Sequence, residues 1–357
     1  MRRILVVNPG STSTKLAVFE DESPVWQSER SYSHSQLAPF KRALEQFEMR
    51  YADMLQILQE RKVEVTTLSA VVSRGGPFKP MDGGTHPITP SLVGDVLGGR
   101  LQFEHASMLG VLLADRLLQD TGIPGFFVDP VSVDEFEPVA RISGLPELER
   151  KSLVHALNIR AAARKIAARL NKDLQQLRFV MAHLGGGISI CPLKYGRIVD
   201  VNNSVEGGPF SPERSGSLPV SSLVKLCFSG TLAEPEMMRK IAGLGGMTAH
   251  LGTNDAVEVE KRIAEGDRKA GKVYRAMAYQ IAKEIGAMAT VLNCMVDGIV
   301  LTGGLARSEM LTSWIRESVQ FLAPVYVLPG EFEMEALALG ALRVLRGEEK
   351  IRSHANR

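Results

Sequence analysis

Cysteine is scarce in this chain of 357 residues. Cys191, Cys227 and Cys294 lie far apart, are odd in number and include no CxxC pair. That spacing argues against a disulfide framework or a zinc site and fits a reducing, cytoplasmic setting. Charge of one sign is missing too. The formal net charge is +2, so no strong field favours nucleic acid or a membrane surface as partner. No apolar run is long enough to span a bilayer without interruption. Met1-Arg2-Arg3 leads straight into a strand-like segment, with no adequate apolar region and no small-residue cleavage site, so no signal peptide is expected. Low-complexity tracts and short-period repeats are absent. What remains is the composition of an ordinary soluble globular protein, 45% hydrophobic and 23% charged. The length favours two domains.

Short apolar or β-branched runs alternate with longer helical patterns, as in α/β proteins. Ile4–Val7 and Leu16–Phe19 read as strands joined by the turn-rich Asn8–Thr14. Leu37, Phe40, Leu44, Phe47, Tyr51, Leu55 and Leu58 recur at helical spacing, which predicts one long amphipathic helix. Val71–Ser73 and Phe126–Val128 read as further strands, and Leu153–Leu170 as a helix. The pattern then restarts: strand Phe179–Leu184, turn Gly185–Gly187, strand Ile188–Leu193, continued by Ile198–Val201. A long helix follows, with Val273, Met277, Ile281, Ile285, Met288, Leu292 and Met295 as its stripe. Strands Gly298–Leu301 and Val325–Leu328 and a last helix, Met334 to Leu345, complete the order. Each half thus opens with an apolar strand, a small-residue turn and a second strand. The expected domains are 1–152, rejoined by a C-terminal helix within 336–357, and 153–335.

Three turns carry chemistry. The first, Asn8-Pro9-Gly10-Ser11-Thr12-Ser13-Thr14-Lys15, packs hydroxyls, a glycine and a lysine between two strands. Its backbone N–H groups and hydroxyls can cradle an anion, and Lys15 can supply charge to a phosphate. It is not a P-loop, because the GxxxxGK[ST] spacing is absent and a strand follows. The second, His183-Leu184-Gly185-Gly186-Gly187, lets a ligand approach bare backbone. The third, Thr302-Gly303-Gly304, follows a buried-type strand and could let a nucleotide lie over the backbone. Singly, each turn is equally well an ordinary connection.

Together, two strand–turn–strand loops and a late strand-Gly-Gly turn resemble the two phosphate motifs and the adenosine motif of the actin, sugar kinase and chaperone ATPase superfamily. Most members open the first loop with aspartate, where this chain has Asn8. Asparagine there, in NPGSTSTK, resembles the acetate kinase family. The segments Phe127-Val128-Asp129-Pro130, His155-Ala156-Leu157-Asn158, Ala182-His183-Leu184-Gly185, Glu213-Arg214-Ser215-Gly216 and Pro329-Gly330-Glu331-Phe332-Glu333 agree. VVSRGGPFKP, LVHALN, PFSPERSGSLP and PGEFEMEALALGALRVL are most similar to its butyrate and branched-chain carboxylate kinase branch. The resemblance covers nearly the whole chain.

The resemblance implies two domains with duplicated ribonuclease H-like cores and ATP in a cleft between them. It implies reversible phosphoryl transfer between ATP and a small carboxylic acid, with ATP/ADP and Mg2+ as cofactors and a homodimer or higher homo-oligomer. Asn8, Ser11, Ser13 and Lys15 match the phosphate-side loop, joined by Gly185, Gly186, Gly187, Gly303 and Gly304. Asp129 and Glu333 match the acidic positions associated with magnesium, with Glu331 and Glu335 as neighbouring alternatives. Acids just before a helix also serve as simple dipole partners. His155, His183, Arg214 and Arg74 match catalytic positions, and His105 has a family counterpart in different surroundings.

Two departures stand out. Acetate kinases carry an arginine in an HRVVHGG-like segment where a straight alignment puts Val71, with Arg74 three residues later. Acetate kinases also place phenylalanine before the histidine matching His155, where this chain has Val154. A smaller residue leaves room for a longer or branched acyl chain, each buried methylene contributing about 0.8 kcal/mol. An acetate or propionate kinase is the alternative among enzymes. A nucleotide-gated, actin-like binding protein is the alternative outside them, and it predicts slow hydrolysis independent of any acid. The Val154 reading predicts that Val154→Phe shifts acceptor preference towards shorter acids. Unchanged relative kcat/KM over acids of graded length would remove it.

Overall fold

The computed structural model describes residues 1–352. They form two compact units. The first takes Met1–Asp134 and the chain from Phe332 onward, and the second is Glu135–Glu331. The 353–357 end of the expected C-terminal helical segment lies outside the described residues.

The first unit is built on the strands β1 (Arg3–Pro9), β2 (Ser13–Glu20), β3 (Ser23–Ser31), β4 (Ala70–Arg74), β5 (Thr85–Pro87) and β6 (Gly125–Val128). Their order in the sheet is β3-β2-β1-β4-β6-β5. β1 runs antiparallel to β2 and parallel to β4, which runs parallel to β6. Ile4 to Val7 and Ala70 to Val72 are fully buried. Such continuous apolar runs mark strands covered on both faces. The covers include helix Leu109–Leu118, packed on β1, β4 and β6, and helix Glu333–Leu345, packed on the same strands. Each fully buried Leu or Val contributes about 1.5–3 kcal/mol to holding those layers.

The second unit repeats the plan. Its strands are β7 (Arg178–Leu184), β8 (Ile188–Lys194), β9 (Arg197–Ile198), β10 (Gly298–Gly303) and β11 (Val325–Pro329). Read from β9, the order is β9-β8-β7-β10-β11, the same path as β3-β2-β1-β4-β6. β7 is antiparallel to β8 and parallel to β10. Helix Ala156–Arg169 packs on β7 and β10, and helix Arg268–Val291 on β7 and β8. This is the duplicated ribonuclease H-like α/β core.

Several elements differ from the sequence expectation. The long helix expected from Leu37 is broken: a short helix at His34–Leu37 and a 3-10 turn at Ala43–Gln46 precede the helix Phe47–Glu60. Its buried face carries Arg50, Met54, Ile57 and Leu58, while Leu55 of the expected stripe is 42% exposed. The face is rotated because a buried arginine occupies a position that hydropathy assigns to solvent. The strand expected over Ile198–Val201 ends at Ile198. Helices at Val220–Cys227, Glu234–Ile241, Gly246–Leu251 and Ala256–Ala264 fill the stretch between β9 and the long helix, for which the sequence pattern predicts no element. No helix among the described residues is long and apolar enough to cross a membrane.

At Gly303 the backbone has φ +92°, and an added Cβ would lie 2.8 Å from both N and C of Leu184. Gly304 has open space around its Cβ position. Gly303→Ala should therefore lower stability by about 2 kcal/mol or more, through positive φ and backbone clash, whereas Gly304→Ala should cost less than about 1 kcal/mol. Chemical denaturation of the two variants checks this, and equal losses would overturn it.

Candidate active site

In an α/β sheet, ligands gather at the carboxyl ends of the parallel strands. In the first unit those ends hold Asn8 on β1, Arg74 on β4 and Asp129 just past β6. Parallel pairing sets Val7 beside Ser73 and Arg74 beside Val128.

Glu333, the first residue of the last helix, ties two of these together. Its carboxylate accepts from Asn8 Nδ2 at 2.9 Å and pairs with Arg74 at 3.0 Å. Glu331, the nearest alternative acid, is exposed. Asn8 is 3% exposed, and its Oδ1 has no hydrogen-bond partner among the described residues. Asp129 is buried, with φ +39°, and its Oδ1 accepts from the Gly84 N–H at 2.8 Å. The orphaned Asn8 Oδ1 and the carboxylates of Asp129 and Glu333 make an all-oxygen donor set at one sheet edge. That set fits a magnesium–phosphate group. Among the described residues no three His, Cys, Asp or Glu side chains cluster, and an ion held mainly by phosphate oxygens and water does not need such a cage.

The turn between β1 and β2 is only Gly10-Ser11-Thr12. Gly10 N–H donates to Ser13 O at 2.7 Å. Ser11 Oγ lies 3.2 Å from His105 Nε2. His105 Nδ1 accepts from the Ser107 N–H at 3.1 Å, so the neutral ring carries its proton on Nε2 and donates it to Ser11. Burial, then the positive charges of Arg74 and Arg50, push the His105 pKa below its usual value, which favours that neutral ring. Ser13 opens β2, and Lys15 pairs in register with Asn8, half-buried, its ammonium making no hydrogen bond among the described residues. From the other side Arg50, fully buried, donates to the carbonyls of Gly10, Ser11 and Ser13 at 2.9–3.0 Å. The sequence reading missed Arg50. Its only signal was a cation on what became the buried face of Phe47–Glu60.

In the second unit the equivalent turn is Gly185-Gly186-Gly187. The His155 and His183 rings stack with centroids 4.2 Å apart. His155 Nδ1 lies 2.9 Å from Ser189 Oγ. Asn158 Nδ2 donates to His183 Nδ1 at 2.9 Å and to Thr302 Oγ1 at 3.2 Å. The neutral His183 ring therefore carries its proton on Nε2, the atom closest to Gly185. A Cβ on Gly187 would meet Arg214 Nη1 at 2.5 Å and Cζ at 2.6 Å, so glycine is what lets the guanidinium lie on the turn. Ser211 Oγ braces the same turn by donating to Gly186 O at 2.5 Å while accepting from Arg214 N–H at 3.1 Å. Arg214 also donates to Ser204 Oγ, and among the described residues no carboxylate pairs with it. Burial pushes its pKa down from the usual guanidinium value. Gly303 closes against Leu184 and exchanges two hydrogen bonds with Gly330. Gly304 is exposed and open.

The expected residues thus fall into a group in each unit. Asn8, Arg74 and Glu333 are bonded together, with Asp129 at the adjacent strand end and Ser11 on His105. His155, His183, Gly185, Gly187 and Arg214 surround one turn, with Gly303 against its first strand.

Comparison with known proteins places this geometry. Residues 149–324 match the model of the acetokinase family. Acetate kinase from Porphyromonas gingivalis superposes with a TM-score of 0.78 at 19% identity, covering 97% of this chain and 100% of that one. A propionate kinase from Francisella tularensis subsp. tularensis SCHU S4 gives 0.75 at 17% identity, covering 95% and 99%. Acetate kinase from Entamoeba histolytica gives 0.72 at 16%, covering 95% and 98%. At these identities the structures speak for the fold. The matched stretch, residues 149–324, holds His155, His183, the glycine turn, Arg214 and Gly303, and the chain shares the fold of these kinases.

Proposed function

We propose that this protein transfers the γ-phosphoryl group of ATP to the carboxylate of a short-chain acid, with butyrate or a branched-chain acid as the preferred acceptor, and that it also runs the reverse reaction. The observation that carries this reading is the group on the glycine turn of the second unit. An arginine that pairs with no carboxylate among the described residues lies on Gly187, and two imidazoles stack at Gly185. Such a set of donors suits a phosphoryl group, whose transition-state charge spreads over three equatorial oxygens. The family match over the same residues supports it.

In the transfer, one carboxylate oxygen forms a bond to the γ-phosphorus. The bond from phosphorus to the β,γ-bridging oxygen breaks, and its electron pair leaves with ADP. No general base is required, because the acid is already ionised at neutral pH. Arg214 and the His183 Nε2–H stabilise the equatorial oxygens. His155, stacked on His183 and bonded to Ser189, holds that ring in place. In the first unit the exposed Ser11 and Thr12 turn and Lys15 contact the nucleotide phosphates. Mg2+, when bound, neutralises phosphate charge, and Asn8, Asp129 and Glu333 are the residues that would hold it. Arg74 already pairs with Glu333, so Arg214 is the stronger candidate for the transferring group, and Arg74 reaches an acid only by sharing Glu333. Val154 is buried beside His155, and its small side chain supports a longer acyl group. Homo-oligomerisation is part of the proposal, supported by the apolar, exposed Val220, Val224 and Phe228.

Hydroxylamine trapping of the acyl phosphate, over acids of graded length and branching, tests the reading. Hydroxamate should form with ATP and peak at four-carbon or branched acids. A peak at acetate or propionate would favour those kinases instead, and nucleotide hydrolysis with no hydroxamate from any acid would end the kinase reading. Arg214→Ala should lower kcat about 10²- to 10³-fold, the usual loss when one donor to a developing oxyanion is removed. Arg214→Lys should not restore it, since an ammonium lacks the planar fork.

A further inference from the structure

Arg50 is the largest fully buried side chain among the described residues and is charged. Among the described residues no carboxylate pairs with it. All three of its nitrogens are engaged: Nη1 with Gly10 O, Ser13 O and Thr14 Oγ1, Nη2 with Ser11 O and Gln46 Oε1, and Nε with Gln46 Oε1, at 2.8–3.1 Å. Its Cζ lies 4.6 Å from the centroid of the Tyr32 ring, whose hydroxyl donates to Thr14 Oγ1 at 3.3 Å.

These bonds have a consequence for the opposite side of the turn. In a trans peptide the C=O and the following N–H point in opposite directions. Drawing the Gly10 and Ser11 carbonyls inward onto one guanidinium turns the N–H groups of Ser11 and Thr12 outward. Both residues are exposed, and among the described residues neither N–H has a protein acceptor. Successive outward N–H groups form an anion-binding nest. Here the nest sits above a buried cation that hydrogen-bonds only to neutral oxygens and whose charged neighbour, Asp53, is itself paired with Arg30, so the field of Arg50 adds to that of the N–H dipoles.

We infer that Arg50 is a positioning residue that shapes the turn Gly10–Thr12 into a phosphate-binding nest and supplies its positive potential from beneath, without touching the nucleotide. This rests on the reading that the first unit binds nucleotide phosphates. A guanidinium is required rather than charge alone, because one planar fork must reach carbonyls from different peptides.

The test is ADP binding by calorimetry, with no acid present, for the wild type, Arg50→Lys and Gln46→Ala. Gln46 anchors Nε and Nη2 and, among the described residues, makes no hydrogen bond to the turn, so Gln46→Ala loosens the fork while leaving its charge in place. Arg50→Lys should weaken ADP at least about tenfold, equivalent to 1.4 kcal/mol. Gln46→Ala should weaken it about threefold, and KM for the acid should change less than twofold in both. In the wild type, ADP should slow hydrogen exchange of the Ser11 and Thr12 amides, and Arg50→Lys should lose that protection. Full ADP affinity in Arg50→Lys, or in a folded Gln46→Ala if Arg50→Lys does not fold, overturns the inference, as does a wild type that binds no ADP. ADP binding that follows these expectations while no acid yields hydroxamate would leave Arg50 in this role and remove the carboxylate kinase reading alone.

Discussion

Both functional groups depend on one constraint, the parallel pairing of the central strand of each sheet with the next strand inward. β1 beside β4 sets Val7 opposite Ser73, and β7 beside β10 sets His183 opposite Thr302. Parallel neighbours end at the same edge. Chain segments separated by tens or hundreds of residues therefore deliver their turns to one place. The antiparallel partners β2 and β8 return from that edge after three residues, too few for anything but a tight turn with exposed backbone. The candidate site residues gather at those strand ends and tight turns.

The two turns solve the same problem with opposite uses of arginine. In the first unit Arg50 lies beneath the turn and takes its carbonyls. In the second, Arg214 lies against Gly187, with a serine hydroxyl as its partner. The buried guanidinium shapes backbone, and the half-buried one presents charge. Desolvation lowers the pKa of each, yet a guanidinium remains protonated at neutral pH. The histidines follow the same economy of groups: Ser107 fixes the tautomer of His105, and Asn158 fixes that of His183.

Much of the core was legible because it rests on local pattern. The fully buried runs of β1, β4, β7 and β10 read as strands from β-branched and apolar residues alone, and the long helix Arg268–Val291 from its periodicity. The glycine turns read from composition, since a side chain at Gly187 or Gly303 would collide with Arg214 or Leu184. The edge strand β3 was not legible, for its residues are mostly exposed and carry no alternation. The phase of helix Phe47–Glu60 was misread for a similar reason: Arg50 breaks the apolar stripe that defines a buried face.

The sequence by itself determined the alternating α/β order, the repeated strand–turn–strand opening and the kinds of residue at each turn, because those depend on neighbours a few positions apart. Tertiary structure alone decided the pairings. Glu333 meets Arg74 across 259 positions and Asn8 across 325, and Asn158 meets His183 and Thr302. No local periodicity encodes such contacts, since they exist only once parallel strands bring their ends to a common edge. There Arg74 meets the Glu333 carboxylate, whereas among the described residues no carboxylate pairs with Arg214, whose guanidinium donates to Ser204.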